Sequence, residues 1–355
     1  MPTKEIILHI GSPKTGTTSL QAFCTRNRDI LAKLNLLYPK TGCVNVAHHE
    51  LAWAVNPLGP KINAQPLYDQ LASEIENSDC TRILVSSEVF FVASDIVKLR
   101  QLLANYKVKV YAYLRRQDQW YQAMYSQYIK ENRYRLTDSP SDSDVMEIIL
   151  KHLDYSSLLD LWAENFDSVA ARPYEGGVVG ENIISDFFSM VGVLIPDKCR
   201  KDESAGEKNI SLACDLLELV RLSNYAQYRE TSRSLWLYGL QEIQSLRASR
   251  GRNKSCLAID EKTLLNIFNM FRERNKLLNK YRFYMPGESE LSEFFTSLGD
   301  EQIKNQHDNE ERLKSIDLSS LTEIVVDSWV YYEQKICEYE SLIQVMRGNS
   351  GSSSN

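Results

Sequence analysis

Residues 5–20, Glu5-Ile-Ile-Leu-His-Ile-Gly-Ser-Pro-Lys-Thr-Gly-Thr-Thr-Ser-Leu20, decide the fold. Glu5 to Ile10 is a short apolar run of the kind that forms a buried strand. Gly11 and Gly16 bracket a loop and permit tight backbone conformations there. A helix is expected to begin near Thr17. Strand, glycine-bounded loop and helix start together expose amide N–H groups and the positive end of the helix dipole. With the hydroxyls of Thr17, Thr18 and Ser19 they form a cradle for phosphate-like anions. A glycine-rich turn can be mere punctuation. The clustering of Lys14 with three hydroxyls argues against that blander reading.

Outward from this segment, strand and helix signals alternate. Further strands are expected over 82–86, 107–114 and 167–173, and helices over 17–34, 67–77, 95–105 and 117–132; residues 35–60 read as a long loop. Strands separated by helices of this length argue for a parallel sheet. From about residue 181 only helical signals remain, over 181–191, 209–224, 227–248, 260–280 and 320–345. The expected fold is therefore α/β: a P-loop-like parallel β-sheet flanked by helices, with a helical C-terminal elaboration. Residues 1–200 would form the core, 201–345 a helical part of the same domain, and 346–355 a disordered tail.

Composition narrows the function. The chain has 355 residues, 41 Lys and Arg against 47 Asp and Glu, and a net charge of −6. An acidic chain is a poor non-specific nucleic-acid binder. No apolar run approaches the roughly 20 residues of a membrane span, and the N-terminus does not read as a signal peptide. Seven scattered cysteines with no Cys-x-x-Cys pair suggest neither a zinc site nor a disulfide framework. They read as reduced thiols, so a cytoplasmic location is expected.

The spacing in the loop is specific. A nucleoside-triphosphate loop runs G-x-x-x-x-G-K-[ST]. Gly11, Gly16 and Thr18 fit that pattern, but Thr17 stands where the lysine belongs. The lysine is Lys14, in mid-loop, and would reach a different atom. This pattern, Pro13-Lys-Thr-Gly-Thr-Thr-Ser-Leu20, resembles the 5′-phosphosulfate loop of sulfotransferases that use 3′-phosphoadenosine-5′-phosphosulfate (PAPS). More narrowly it resembles their bacterial, carbohydrate-sulfotransferase-like members. The resemblance implies that Gly11, Ser12, Pro13, Lys14, Thr15, Gly16, Thr17, Thr18 and Ser19 bind the 5′-phosphosulfate, with Lys14 also serving the leaving group. No metal is implied.

Two further segments carry the resemblance. The strand over 107–114 ends in Arg115-Arg116 at its C-terminal edge, where open parallel sheets bind ligands. Between Arg100 and Arg135 there are eight basic residues and two acidic ones, an excess of six positive charges that focuses positive potential here. The family clamps the donor's 3′-phosphate with an Arg at this strand end and a Ser on the next helix, which implies that role for Arg115. The family's serine position is Ala123 in this chain. Ser126, three residues on, lies near the same helical face at about 100° per residue. Ser126 or Arg116 would then complete the clamp.

The strand over 82–86 leads into Ser87-Glu88, resembling the segment that carries the family's general base. Glu88 would take the acceptor's proton, a role worth about 10²–10⁴-fold. A structural role, capping the next helix or pairing with Arg82, stays open. His48-His49 lies in the loop after the first helix. The pair reads either as surface histidines or, by resemblance, as a contribution from His49 to the acceptor pocket or to base catalysis. His9 reads as a core histidine. The function implied is sulfuryl transfer from PAPS to a hydroxyl of a carbohydrate or small hydroxylated acceptor. The rivals are a P-loop kinase or NTPase, which needs the missing lysine and a metal, and a non-catalytic nucleotide-binding relative, which Ala123 favours.

Overall fold

A computed structural model describes residues 4–91, 95–131, 150, 152–174, 182–196, 212, 214–224, 237–245, 259, 261–281 and 295–296. Its centre is a five-stranded parallel sheet built from β1 (Glu5–His9), β2 (Leu36–Leu37), β3 (Arg82–Ser86), β4 (Lys107–Leu114) and β5 (Ser168–Pro173). The strand order is β2-β3-β1-β4-β5. β1 is central, with Ile7 aligned to Leu84 of β3 and to Lys109 of β4. The central strands are largely apolar because both faces of the sheet are covered, the usual state of a parallel sheet.

On one face Ile7, Leu84, Tyr111 and Tyr113 pack with Leu20, Phe23 and Leu31, and with Ile183, Phe187 and Phe188. The first three come from α1 (Thr17–Arg26) and α2 (Arg28–Lys33), the last three from α8 (Ile183–Met190). The alternate strand residues Ile6, Leu8, Ile83, Val85, Val110 and Ala112 are buried as well. The remaining helices around the sheet are α3 (His49–Trp53), α4 (Ala64–Glu76), α5 (Ile96–Leu102), α6 (Gln117–Glu131) and α7 (Tyr155–Asn165). α5 packs against α7. Side chains fix several helix starts: Asp95, Asp154 and Asn182 accept the amide three residues on at the starts of α5, α7 and α8.

The sequence differs from the structure in detail. The single helix expected over 17–34 is two, divided at Asn27. The loop expected over 35–60 contains β2 and α3. The described helical residues beyond β5 are α8, α9 (Cys214–Ser223), residues 237–245, α10 (Glu261–Asn275), a 3-10 turn over Lys276–Tyr281 and residues 295–296. The helix expected over 320–345 and the tail at 346–355 lie outside the described residues.

The chain divides into two compact units. The first comprises 1–124, 144–209 and 264–297 and holds the sheet. The second comprises 125–143, 210–263 and 298–355. It buries Tyr125, Tyr128, Ile129, Leu216, Val220 and Ile243, and Asn224 Nδ2 donates to the Ile129 carbonyl at 3.2 Å. No helix among the described residues is long and apolar enough to cross a membrane. Cys24, Cys43 and Cys80 are free thiols.

Candidate active site

The loop after β1 is pinned from several directions. The Ser12 amide donates to the Tyr113 carbonyl of β4 at 3.1 Å. Thr15 Oγ1 donates to the Ser12 carbonyl at 2.6 Å, and Trp120 Nε1 of α6 donates to the Pro13 carbonyl at 2.9 Å. Ser12, Thr15 and Thr17 are buried, whereas Pro13, Lys14, Gly16 and Ser19 are half-buried and Thr18 is exposed. The loop turns through three left-handed residues: Gly11 at φ 73°, Lys14 at φ 66° and Gly16 at φ 71°. Glycine occupies such a conformation without strain, but a lysine does so at a cost of about 1–2 kcal/mol. Strain of this kind, held in place by surrounding hydrogen bonds, collects at functional sites.

α1 begins at Thr17, and no side chain caps it; Gly16 is its left-handed N-cap. The positive end of this helix therefore faces the loop without a resident carboxylate or hydroxyl cap. Space beside Gly16 is limited: an added Cβ would lie 3.1 Å from Ile183 Cδ1 and 3.2 Å from the Tyr174 ring.

Glu88 opens a short 3-10 helix (Glu88–Phe91) directly after β3. It abuts the loop, since a Cβ added to Gly11 would lie 2.9 Å from Glu88 Cβ. Gln21, one turn into α1, donates Nε2–H to Glu88 Oε2 at 3.0 Å. His49 Nε2 lies 4.0 Å from Glu88 Oε1, with both side chains about a quarter exposed (22% and 26%). Solvent can reach the carboxylate, as a base that receives an acceptor proton requires. Arg82 does not pair with Glu88; its guanidinium donates to the carbonyls of Val191 and Gly192. The structure thus brings together Gly11–Ser19, Glu88 and His49.

The two adjacent histidines have different environments. His48 is fully buried; its Nδ1 accepts the Ser86 amide at 3.1 Å and its Nε2 donates to the Pro39 carbonyl at 3.0 Å. Burial lowers its pKa to about 4, so it is a neutral structural ring. His49 starts α3, bonds Ser87 Oγ through Nδ1 at 2.8 Å, and its ring lies 5.6 Å from that of Trp53. The surface-histidine reading therefore fails for His48, and His49 is turned toward Glu88.

At the end of β4 the paired arginines also diverge. Arg116 is buried and engages Asp118 through two bonds of 2.7 Å, with its guanidinium 5.6 Å from the Phe268 ring centroid. Arg115 is half-buried and its carbonyl accepts the Tyr155 hydroxyl at 2.8 Å. Ser126 is half-buried on α6, in the second unit. Arg172 of β5 is buried against Asp186 at 3.2 Å, and Asp186 also accepts the Tyr113 hydroxyl.

The sequence reading missed Gln21, whose side chain joins the loop helix to Glu88. Its signal was a polar residue at i+4 from Thr17, on the buried face of a helix whose other buried positions are mostly apolar.

No family model matches this chain. An uncharacterized protein of Archaeoglobus fulgidus is 27% identical to it over 216 residues, covering 59% of this chain. The chain spans little more than half, 56%, of that relative's length.

Proposed function

We propose that this chain is a PAPS-dependent sulfotransferase that moves a sulfuryl group to a hydroxyl of a carbohydrate or small hydroxylated acceptor. One observation carries the reading. The lysine of the strand-to-helix loop sits in mid-loop in a strained left-handed conformation, while Thr17 occupies the helix start where a triphosphate-binding loop needs its lysine. The pinned loop, the uncapped start of α1 and the mid-loop cation suit a phosphosulfate, whose charge lies on both phosphate and sulfate oxygens. Arg115, at the end of β4, is the candidate for the donor's 3′-phosphate. Arg116, already committed to Asp118, is not.

The step is an in-line displacement at sulfur. Glu88 takes the acceptor's O–H proton while the new O–S bond forms. Lys14 and the α1 amides offset the charge that accumulates on the 5′-phosphate as its bond to sulfur breaks. The contact of Glu88 with Gly11 supports this division of labour, because it sets the base beside the donor loop. The kinase alternative lacks its helix-start lysine. Free thiols at Cys24, Cys43 and Cys80 agree with a cytoplasmic location. Incubating the purified chain with PAPS and a panel of methyl glycosides tests the activity. Release of adenosine 3′,5′-bisphosphate together with a sulfated glycoside is the expected result. Wild-type chain that neither binds the bisphosphate nor releases it from PAPS would overturn the proposal.

A further inference from the structure

The Gln21 amide has two hydrogens, and each faces an acceptor. One goes to Glu88 Oε2 at 3.0 Å and the other to Ser86 Oγ at 3.2 Å. Ser86 Oγ in turn lies 2.8 Å from His9 Nδ1. The chemistry of the groups sets the direction of the bond to Glu88. A carboxylate only accepts, so the amide nitrogen of Gln21 faces it. Ser86 Oγ receives the second amide hydrogen and shares a further hydrogen bond with His9 Nδ1. His9 is fully buried, and its Nε2 has no hydrogen-bond partner. Desolvation lowers its pKa to about 3, so the ring stays neutral.

These four residues come from four elements: His9 from β1, Gln21 from α1, Ser86 from β3 and Glu88 from the 3-10 helix that follows it. The chain of bonds runs from the sheet interior to the candidate base beside the donor loop.

We infer that Gln21 is a positioning residue for Glu88. With Ser86 and His9 held rigidly behind it, its amide fixes the carboxylate's rotamer and keeps Oε1 turned toward solvent and His49. This rests on the sulfotransferase reading, in which Glu88 is the base. A carboxylate free to rotate would lose the alignment on which proton transfer depends.

The test uses the full chain as wild type, Gln21→Met, Ser86→Ala, Glu88→Gln and the double variant Gln21→Met/Glu88→Gln. Readouts are kcat for bisphosphate release from PAPS and calorimetric affinity for adenosine 3′,5′-bisphosphate. Gln21→Met is expected to lower kcat about 10- to 100-fold with bisphosphate affinity unchanged. Ser86→Ala, a gentler change, is expected to show the same split with a smaller loss. The double variant is expected to match Glu88→Gln alone, because the amide has no carboxylate left to orient. The contact itself is read from the Gln21 side-chain amide in a nitrogen–proton correlation spectrum, identified by its absence in Gln21→Met. It is expected to shift in both Glu88→Gln and Ser86→Ala. An amide signal unmoved in both variants overturns the inference whatever the activity. Active wild type with full kcat in Gln21→Met and Ser86→Ala overturns the inference alone. Wild type that binds no bisphosphate overturns the sulfotransferase reading and this inference with it.

Discussion

Gly11 and Glu88 are in direct contact: a Cβ on Gly11 would sit 2.9 Å from Glu88 Cβ and 3.1 Å from its Cα. The same added carbon would meet Thr17 Cγ2 at 3.1 Å. The first residue of the donor loop, the first helical residue and the candidate base therefore share one point. Gly11→Ala would also have to adopt φ 73°. Clash and strain together are expected to cost about 1–3 kcal/mol of stability in urea unfolding, with loss of sulfuryl transfer as Glu88 is pushed away. Unchanged stability would show that the contact is absent in solution.

Lys14 combines strain with its proposed chemistry, and substitutions separate the two. Lys14→Ala keeps the unfavourable backbone and removes the amine; Lys14→Gly removes both amine and strain. Both variants are expected to lose about 10²–10³-fold in kcat, as when a preorganised charge-stabilising group is lost, with a smaller effect on bisphosphate affinity. Lys14→Gly should be the more stable of the two by about 1 kcal/mol. A loss confined to bisphosphate affinity would move Lys14 from leaving-group stabilisation to simple anion binding.

The two buried histidines set an acid limit on stability. Burial lowers His9 from 6.5 to about 3 and His48 from 6.5 to about 4. Below pH 6.5 the unfolded chain protonates both while the folded chain protonates neither. Stability therefore declines as pH falls from 6.5 toward 4, by roughly 1.4 kcal/mol per pH unit for each histidine once the unfolded ring is fully charged. Below about pH 4 the His48 contribution levels off. Urea unfolding from pH 7 downward measures the slope, and a flat profile through this window would contradict neutral burial of both rings.

Arg116 and Asp118 form a buried bidentate pair, with side chains only 6% and 5% exposed. Depriving that guanidinium of its carboxylate by Asp118→Ala is expected to cost about 3–5 kcal/mol. Arg115→Ala is expected to weaken bisphosphate binding and to cost less stability than Asp118→Ala. The reverse assignment, with Arg115 structural and Arg116 binding nucleotide, would exchange the two outcomes.

Much of this architecture is legible in the sequence because parallel strands covered on both faces are short, largely apolar runs. β1, β3, β4 and β5 stand out for that reason, within a residue or so of their ends. β2, with two residues, and α3, with five, are too short for any periodicity. The break at Asn27 has no Gly or Pro to announce it; the side chain and backbone amides of Asn27 both fold back onto the Phe23 carbonyl. Within the candidate site, motif spacing marks the loop, Glu88 and Arg115. Spacing cannot tell Arg115 from Arg116 or His48 from His49, because adjacent identical residues differ only in which neighbours the fold supplies. Asp118 takes Arg116 and the Ser86 amide takes His48, and Arg115 and His49 are the less buried member of each pair. Gln21 was hidden because its partners lie 65 and 67 positions away in the chain.

In the proposed reaction the mid-loop Lys14 selects a phosphosulfate donor over a nucleoside triphosphate. The most direct measurement compares the melting temperature of the full chain with adenosine 3′,5′-bisphosphate and with ATP and Mg²⁺, each over a concentration series. The account predicts a concentration-dependent rise with the bisphosphate, reaching about 2.7 kcal/mol of stabilisation at a hundredfold excess over its dissociation constant, and none with ATP and Mg²⁺. A rise with ATP and Mg²⁺ alone would contradict it.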